Sequence, residues 1–156
     1  MSLNNGDIAP SFTLKNTEGE DVSISDYNSK NVVVLFFPLA FTGVCTTELC
    51  HMRDNLDKYS SLDAQILAIS VDSPFTLKKF KEENNLTFPL LSDFNKEVST
   101  NYGAIYDEFV MGLKGVSKRA AFLVDKKGKI QHIEVLENAG NLPNFSALED
   151  ALSILN

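Results

Sequence analysis

The sequence predicts a three-layer α/β domain, in which a mixed central β-sheet is flanked by helices. Three observations carry that reading. Val32-Val33-Val34-Leu35-Phe36-Phe37 is an unbroken apolar run of β-branched and aromatic residues, the mark of a strand buried on both faces. Strand-like and helix-like segments alternate along much of the chain, the order that lays helices against a sheet. Near the end, residues 120–124 and 130–135 flank a polar turn over 125–129 and read as a β-hairpin, which makes the sheet mixed.

The elements follow in order. Residues 11–13 with their flanks, and 22–24, read as two short strands around a turn over 16–19. Pro38 lacks an N–H and ends the apolar strand over 32–37. A helix is expected to begin near Cys45 or Thr46, with Leu49, Met52, Leu56 and Tyr59 recurring at helical spacing toward the core. Residues 65–71 form the next buried strand. Asp72-Ser73-Pro74 is a helix-start signal, followed by Phe75, Leu77, Phe80 and Leu86. A short strand over 88–91 and a short helix over 95–102 come next. Residues 143–155 close the chain as an amphipathic helix, with Pro143 near its first turn. There is no internal repeat, low-complexity block or long linker, so a single domain over residues 1–156 is expected. A thioredoxin-like fold fits this order.

Composition narrows the functional classes. The hydrophobic fraction is 44% and the charged fraction 22%, which argues for a globular chain rather than a disordered one. A net charge of −7 argues against a nucleic-acid or anionic-membrane partner. Lys126, Lys127 and Lys129 surround Gly128 and read as a solvated turn. The longest apolar run, 32–41, is interrupted by Pro38 and too short to span a bilayer. The opening residues lack the charged and apolar regions of a signal peptide, so a cytoplasmic location is expected. There are two cysteines, Cys45 and Cys50. In a reducing compartment such a close pair points to catalysis, redox sensing or metal binding. The alternative is two inert buried thiols.

The chemistry concentrates in the stretch from Phe37 to Cys50, which contains P-x-x-x-T-x-x-C at Pro38, Thr42 and Cys45. It follows a buried strand and opens a helix. A thiolate is the nucleophilic form of cysteine, and the unpaired N–H groups of a helix N-terminus favour negative charge. The Thr42 hydroxyl both donates and accepts, so it can hold a peroxide oxygen as charge shifts along the O–O bond. Pro38 stiffens the loop and shields the sulfur from water.

This stretch resembles the peroxiredoxin active-site motif. The resemblance covers almost the whole chain: Gly6-Asp7-Ile8-Ala9-Pro10-Ser11-Phe12, Ile69-Ser70-Val71-Asp72-Ser73-Pro74 and Phe88-Pro89-Leu90-Leu91-Ser92-Asp93 resemble further family landmarks in the same order. It implies a thiol-dependent peroxidase that reduces hydrogen peroxide and organic hydroperoxides, with Cys45 becoming a sulfenic acid and Thr42 as its hydrogen-bonding partner. It also implies an Arg from a later strand beside the thiolate, matched here by Arg119 in Gly115-Val116-Ser117-Lys118-Arg119-Ala120. A thioredoxin-like protein or another thiol is the implied reductant, no metal or organic cofactor is needed, and homodimers are common in the family.

Cys50 stands where one group of relatives, the bacterioferritin-comigratory or Q-type, carries a resolving cysteine. The surrounding residues equally resemble the AhpE-like one-cysteine group, so resolution by Cys50 and by an external thiol both stay open. Five helical residues rise about 7.5 Å, whereas a disulfide prefers Cα atoms about 4.4–6.8 Å apart. Bonding of Cys50 to Cys45 therefore requires the first helical turns to unwind. Glu48 is read either as a favourable charge near a helix start or as an ion-pair partner that orients Arg119; Arg53 is read as a candidate for the same network or, equally, as a partner of Asp54, Asp57 or solvent. Thr46 and Thr47 read as helix-start residues. His51 and His132 do not complete a usual zinc spacing with the cysteines. Phe41 and Phe109 are read as core, with an apolar substrate approach or an interface as the alternative. Two competing functions share the expected fold: a thioredoxin-like thiol–disulfide oxidoreductase, disfavoured by the absence of C-x-x-C, and a non-enzymatic peroxide sensor.

Overall fold

A computed structural model describes residues 3–155; Met1 and Ser2, part of the stretch read for a targeting signal, lie outside them. The elements are β1 (Thr13–Asn16), β2 (Asp21–Ser23), β3 (Asn31–Phe36), α1 (Gly43–Asp54), α2 (Leu56–Ser61), β4 (Ala64–Ser70) and α3 (Pro74–Glu83). They continue with β5 (Leu90–Ser92), α4 (Glu97–Asn101), β6 (Arg119–Val124), β7 (Ile130–Leu136) and α5 (Phe145–Ile154). Single 3-10 turns cover Ile24–Tyr27 and Val110–Gly112. Among the described residues no helix is long and apolar enough to cross a membrane.

One mixed sheet joins the strands in the order β2-β1-β5-β4-β3-β6-β7. β3 pairs parallel with β4, and β4 with β5; β6 runs antiparallel to β3, and β7 to β6. Side chains alternate across a strand, and β3 uses both faces. Val33, Leu35 and Phe37 enter a core with Leu49, Met52, Tyr59, Leu77, Phe80, Leu148 and Leu152 from the helices. Val32, Val34 and Phe36 enter a second core with Phe12, Val98, Tyr102 and Phe122. The apolar run thus marks the centre of a three-layer, thioredoxin-like α/β arrangement.

Several boundaries differ from the sequence reading, each for a local reason. The first strand begins at Thr13 rather than residue 11, because Phe12 turns into the core against Tyr102. α1 begins at Gly43, two residues ahead of Cys45, with Thr42 as its N-cap in extended backbone. Its pattern continues to Tyr59, but the helix breaks at Asn55, whose side-chain amide donates to the His51 carbonyl at 2.8 Å. Asn competes with the backbone in this way and favours helix ends. Leu56 and Tyr59 therefore belong to α2. In α3, Ser73 caps the Thr76 N–H and Pro74 takes the first position, as the start signal implies. Phe75 is 87% exposed, because Leu77 and Phe80 at three-residue spacing take the buried face. Leu86 is buried beyond the helix end. β5 starts only at Leu90, after Pro89, which has no N–H to donate. α4 is shorter than 95–102; the Asp93 carboxylate accepts from the N–H groups of Val98 and Ser99 at 3.2 and 2.7 Å. Pro143 precedes the closing helix, which Asn144 caps through the Ala147 N–H.

This topology brings the C-terminal ends of β3, β4 and β5 to one edge of the sheet. Phe36 pairs with Ala120, so Arg119 at the start of β6 stands beside the chain leaving β3. Arg119 in turn pairs with Leu136 at the end of β7.

Leu35→Ala should lower the unfolding free energy by about 2–5 kcal/mol, the range for emptying a buried leucine site. Phe75→Ala should change it by less than about 0.5 kcal/mol. Chemical denaturation of the two variants beside the parent checks both.

Candidate active site

The β3 chain continues past Pro38 into a short loop that delivers Thr42 and the first turn of α1. The β3–β4 ladder reaches the Phe37 N–H, bonded to Ile69 O at 3.0 Å, and Pro38, next in line on the β6 side, has no N–H to carry the antiparallel pairing further. Three contacts hold the loop beyond it. The Ala40 N–H donates to Asp72 Oδ2 at 2.8 Å. The Thr42 hydroxyl donates to Leu39 O at 2.7 Å. Phe41 sets its ring edge-on against Phe80, with centroids 5.2 Å apart. Phe41 itself has φ 66°, a left-handed conformation that is unusual for a bulky residue.

Cys45, the third residue of α1, is 1% exposed and free. Arg119 Nη2 donates to its sulfur at 3.3 Å. The guanidinium is equally buried and makes three further bonds: Nη1 to Glu48 Oε1 at 2.7 Å, and Nε and Nη2 to Ala139 O at 3.2 and 2.9 Å. A cation at hydrogen-bond distance and the N-terminus of α1 both favour negative charge on this sulfur. Thr42, Cys45 and Arg119 line a cavity of about 710 Å³, and Pro38 lines it as well. Leu39, Val44, Phe109, Val110 and Met111 make its wall largely apolar.

Glu48 is the sixth residue of α1 and does not lie in the first turn, because the helix starts earlier than its sequence suggests. Its place is instead the fully buried ion pair with Arg119. Arg53 does not join that network. It pairs with Asp54 at 2.9 Å and donates to Asn84 O at 2.6 Å. Five helical residues from Glu48 carry it about 140° around the axis. Cys50 follows the same geometry relative to Cys45. Its sulfur lies 3.8 Å from Asn84 Oδ1, toward the end of α3, and α1 is unbroken between the two thiols.

Thr46 and Thr47 donate their hydroxyls to the carbonyls of Thr42 and Gly43, within the helix. His51 stacks on Phe145 at 3.9 Å. Among the described residues no three His, Cys, Asp or Glu side chains are grouped to hold a metal ion. Phe109 lines the cavity, whereas Phe41, expected in the core, is 50% exposed. Two groups at the site escaped the sequence reading. Ala139 contributes only a carbonyl, which no side-chain pattern reveals. Asp72 reads in the sequence as part of a helix-start signal and a family landmark, with nothing to tie it to the Ala40 N–H.

The family model for AhpC/TSA matches residues 5–133. The chain belongs to the AhpC/TSA family, the peroxiredoxins. Peroxiredoxin Bcp of Escherichia coli strain K12 is 39% identical over 133 residues, which cover 84% of this chain and 85% of that protein. Alkyl hydroperoxide reductase E of Mycobacterium bovis is 39% identical over 156 residues, covering 98% of each. In structure, peroxidoxin BcpB of Mycobacterium tuberculosis superposes with a TM-score of 0.83 at 28% identity, covering 98% of this chain and 96% of that one. This peroxiredoxin is therefore a thiol-dependent peroxidase, and the disulfide-exchange and sensor readings find no support. Both subgroups suggested by the sequence are represented at the same identity.

Burial pushes the Glu48 carboxyl from 4.5 up to about 7, against the opposing attraction and hydrogen bond of Arg119, with Glu134 adding to the rise. Below pH 4.5 the carboxyl is protonated in folded and unfolded chains alike. As pH rises, the unfolded chain releases this proton first, so the native state loses stability until the folded value is passed. Glu48→Gln removes the titration. Between pH 4.5 and 7, the variant should gain stability relative to the parent by up to about 3 kcal/mol. Denaturation at a series of pH values checks the sign; a flat difference would refute the assignment to Glu48.

Proposed function

We propose that Cys45 is the peroxidatic cysteine of this peroxidase, activated by Arg119. The observation that carries the reading is the guanidinium contact to the Cys45 sulfur at the depth of an apolar cavity. The thiolate attacks the terminal oxygen of a hydroperoxide. The S–O bond forms as the O–O bond breaks, sulfur is oxidised by two electrons, and the departing oxygen takes a proton to leave as water or alcohol. Cys45 becomes a sulfenic acid. The apolar wall leaves room for the carbon substituent of an organic hydroperoxide as well as for hydrogen peroxide.

Each neighbour has a distinct task in this cycle. Arg119 favours the thiolate and the charge that develops on the peroxide oxygens. Glu48 holds Nη1, so that Nη2 is aimed at the sulfur. Thr42 already donates its proton to Leu39 O, so toward substrate its hydroxyl acts as an acceptor for the peroxide O–H. Pro38 stiffens the loop and shields the sulfur. The sulfenic acid is captured by Cys50, once α1 unwinds, or by an external thiol. A dithiol reductant such as a thioredoxin-like protein then restores Cys45. The cycle needs no metal or organic cofactor. The reading extends to one domain over the whole chain, a cytoplasmic setting and a homodimer.

Stopped-flow oxidation followed by intact mass tests the scheme. Fast oxidation should vanish in Cys45→Ser and persist in Cys50→Ser. A disulfide in the parent that becomes a lasting sulfenic acid in Cys50→Ser assigns resolution to Cys50; sulfenic acid in both assigns it to an external thiol. Thr42→Val should slow the peroxide step by about 10²–10³-fold, the scale for losing one transition-state hydrogen-bonding group, while Thr42→Ser stays near the parent. Oxidation of Cys45 no faster than that of an ordinary free thiol would end the proposal.

A further inference from the structure

We propose that Asp72 is a positioning residue for the peroxidase reaction, acting from the turn after β4 on the loop that leads to Thr42 and Cys45. The proposal rests on the reading of Cys45 and Thr42 given above.

β3 and β4 lie side by side up to the Phe37–Ile69 bond, where the ladder ends. The next residues must reach α1 without strand partners. Ala40 is the midpoint of that crossing, and its N–H is taken by Asp72 Oδ2 at 2.8 Å. Asp72 is itself held at two points, its carboxylate and its backbone carbonyl. Ser70 Oγ, fully buried, donates to the same oxygen at 2.7 Å. Ser92 Oγ from β5 donates to the Asp72 carbonyl at 2.6 Å. Asp72 therefore transmits the register of β4 and β5 to a loop that neither strand touches by backbone pairing.

The loop needs such a hold. Phe41, the residue after the tethered Ala40, has φ 66°. A non-glycine residue in a sparsely populated region persists only when its surroundings over-determine it. Half of the Phe41 side chain is exposed, so burial alone does not fix it. The Ala40 tether lies on one side of Phe41, and the Thr42 hydroxyl bond back to Leu39 on the other. That second bond occupies the Thr42 hydroxyl proton, and no side-chain cap bond is made to α1. The direction of the Thr42 hydroxyl is thus set by the loop, and the loop by Asp72. Without the tether, Phe41 relaxes toward ordinary backbone, which swings the Thr42 hydroxyl away from its place beside Cys45 and Arg119.

The test separates positioning from bulk stability. In Asp72→Ala the peroxide rate constant of Cys45 should fall by about 30–100-fold, the scale of a small misplacement of reacting groups. Alkylation of Cys45 by monobromobimane, which needs no Thr42, should change by less than about threefold on that same argument. Asp72→Asn keeps an acceptor for the Ala40 N–H and should recover most of the peroxide rate. Phe41→Gly in the Asp72→Ala background should also recover part of it, because glycine adopts positive φ freely. A peroxide rate within twofold of the parent in Asp72→Ala overturns the proposal. So does a parallel fall of peroxide rate, alkylation rate and melting temperature, which marks a merely structural residue. Should Asp72→Ala fail to fold, Asp72→Asn decides: a folded variant that loses the peroxide rate rules out the acceptor role, and one that keeps it supports that role. Full peroxide reactivity in Cys45→Ser would instead sink the underlying reading, whatever Asp72 does.

Discussion

The guanidinium of Arg119 is the group on which the site depends. Taking a cation out of water costs several kcal/mol, and partial compensation leaves a large penalty. Here the compensation comes from three groups on two separate pieces of chain: Glu48 and Cys45 on α1, and the Ala139 carbonyl in the loop after β7. None of them is near Arg119 in sequence. The charge is satisfied only when α1, β6 and the loop after β7 are all docked at one edge of the sheet. Completing the fold and completing the site are thus one event.

The Glu48 carboxyl and the Cys45 sulfur share that single cation. Burial drives the Glu48 carboxyl toward its neutral form, and Arg119 pulls the other way. A carboxylate that monopolised the guanidinium would leave less of its field for sulfur; a missing one would leave the guanidinium free to rotate. The buried Glu48 carboxyl thus shares the guanidinium with the sulfur and orients it. Its buried position also explains why no exposed ion pair elsewhere on the chain, such as Lys15 with Asp21, has comparable consequence: solvent screens that pair.

Much of this was legible in the residues. The run over 32–37 announced the central strand because a strand buried on both faces has no polar alternation to display. Cys45, Thr42 and Pro38 were legible as a spacing ahead of a helix, and Arg119 through the family resemblance. The helix start was misplaced because Gly43 and Val44 are indifferent helix formers; Thr42 proved to be the cap although its side chain caps nothing. That two-residue shift also changed the meaning of Glu48, from a first-turn charge to a buried partner. Arg53 illustrates the limit of charge counting: it is as near in sequence as Glu48, yet helical rotation sends it to Asn84. Ala139 and the Asp72–Ala40 bond involve backbone groups, which carry no residue-type signal at all.

The same helix end serves two demands that conflict. An intact first turn of α1 directs N–H groups toward Cys45 and keeps the sulfur against Arg119, which is what an attacking thiolate needs. That intact turn also keeps Cys50 about 140° away around the axis, against Asn84, where it cannot form a disulfide. Attack and internal resolution therefore belong to different conformations of one segment. The loop from Pro38 to Thr42 lies just ahead of that turn, held by the Asp72 and Leu39 bonds against the positive φ of Phe41. A strained hold has a physical logic in that place. Were the loop relaxed and fully paired, the reactive arrangement would be stable but slow to release. Were it unheld, Thr42 would not be aimed. A few side-chain bonds set against an unfavourable backbone angle are what aim it here.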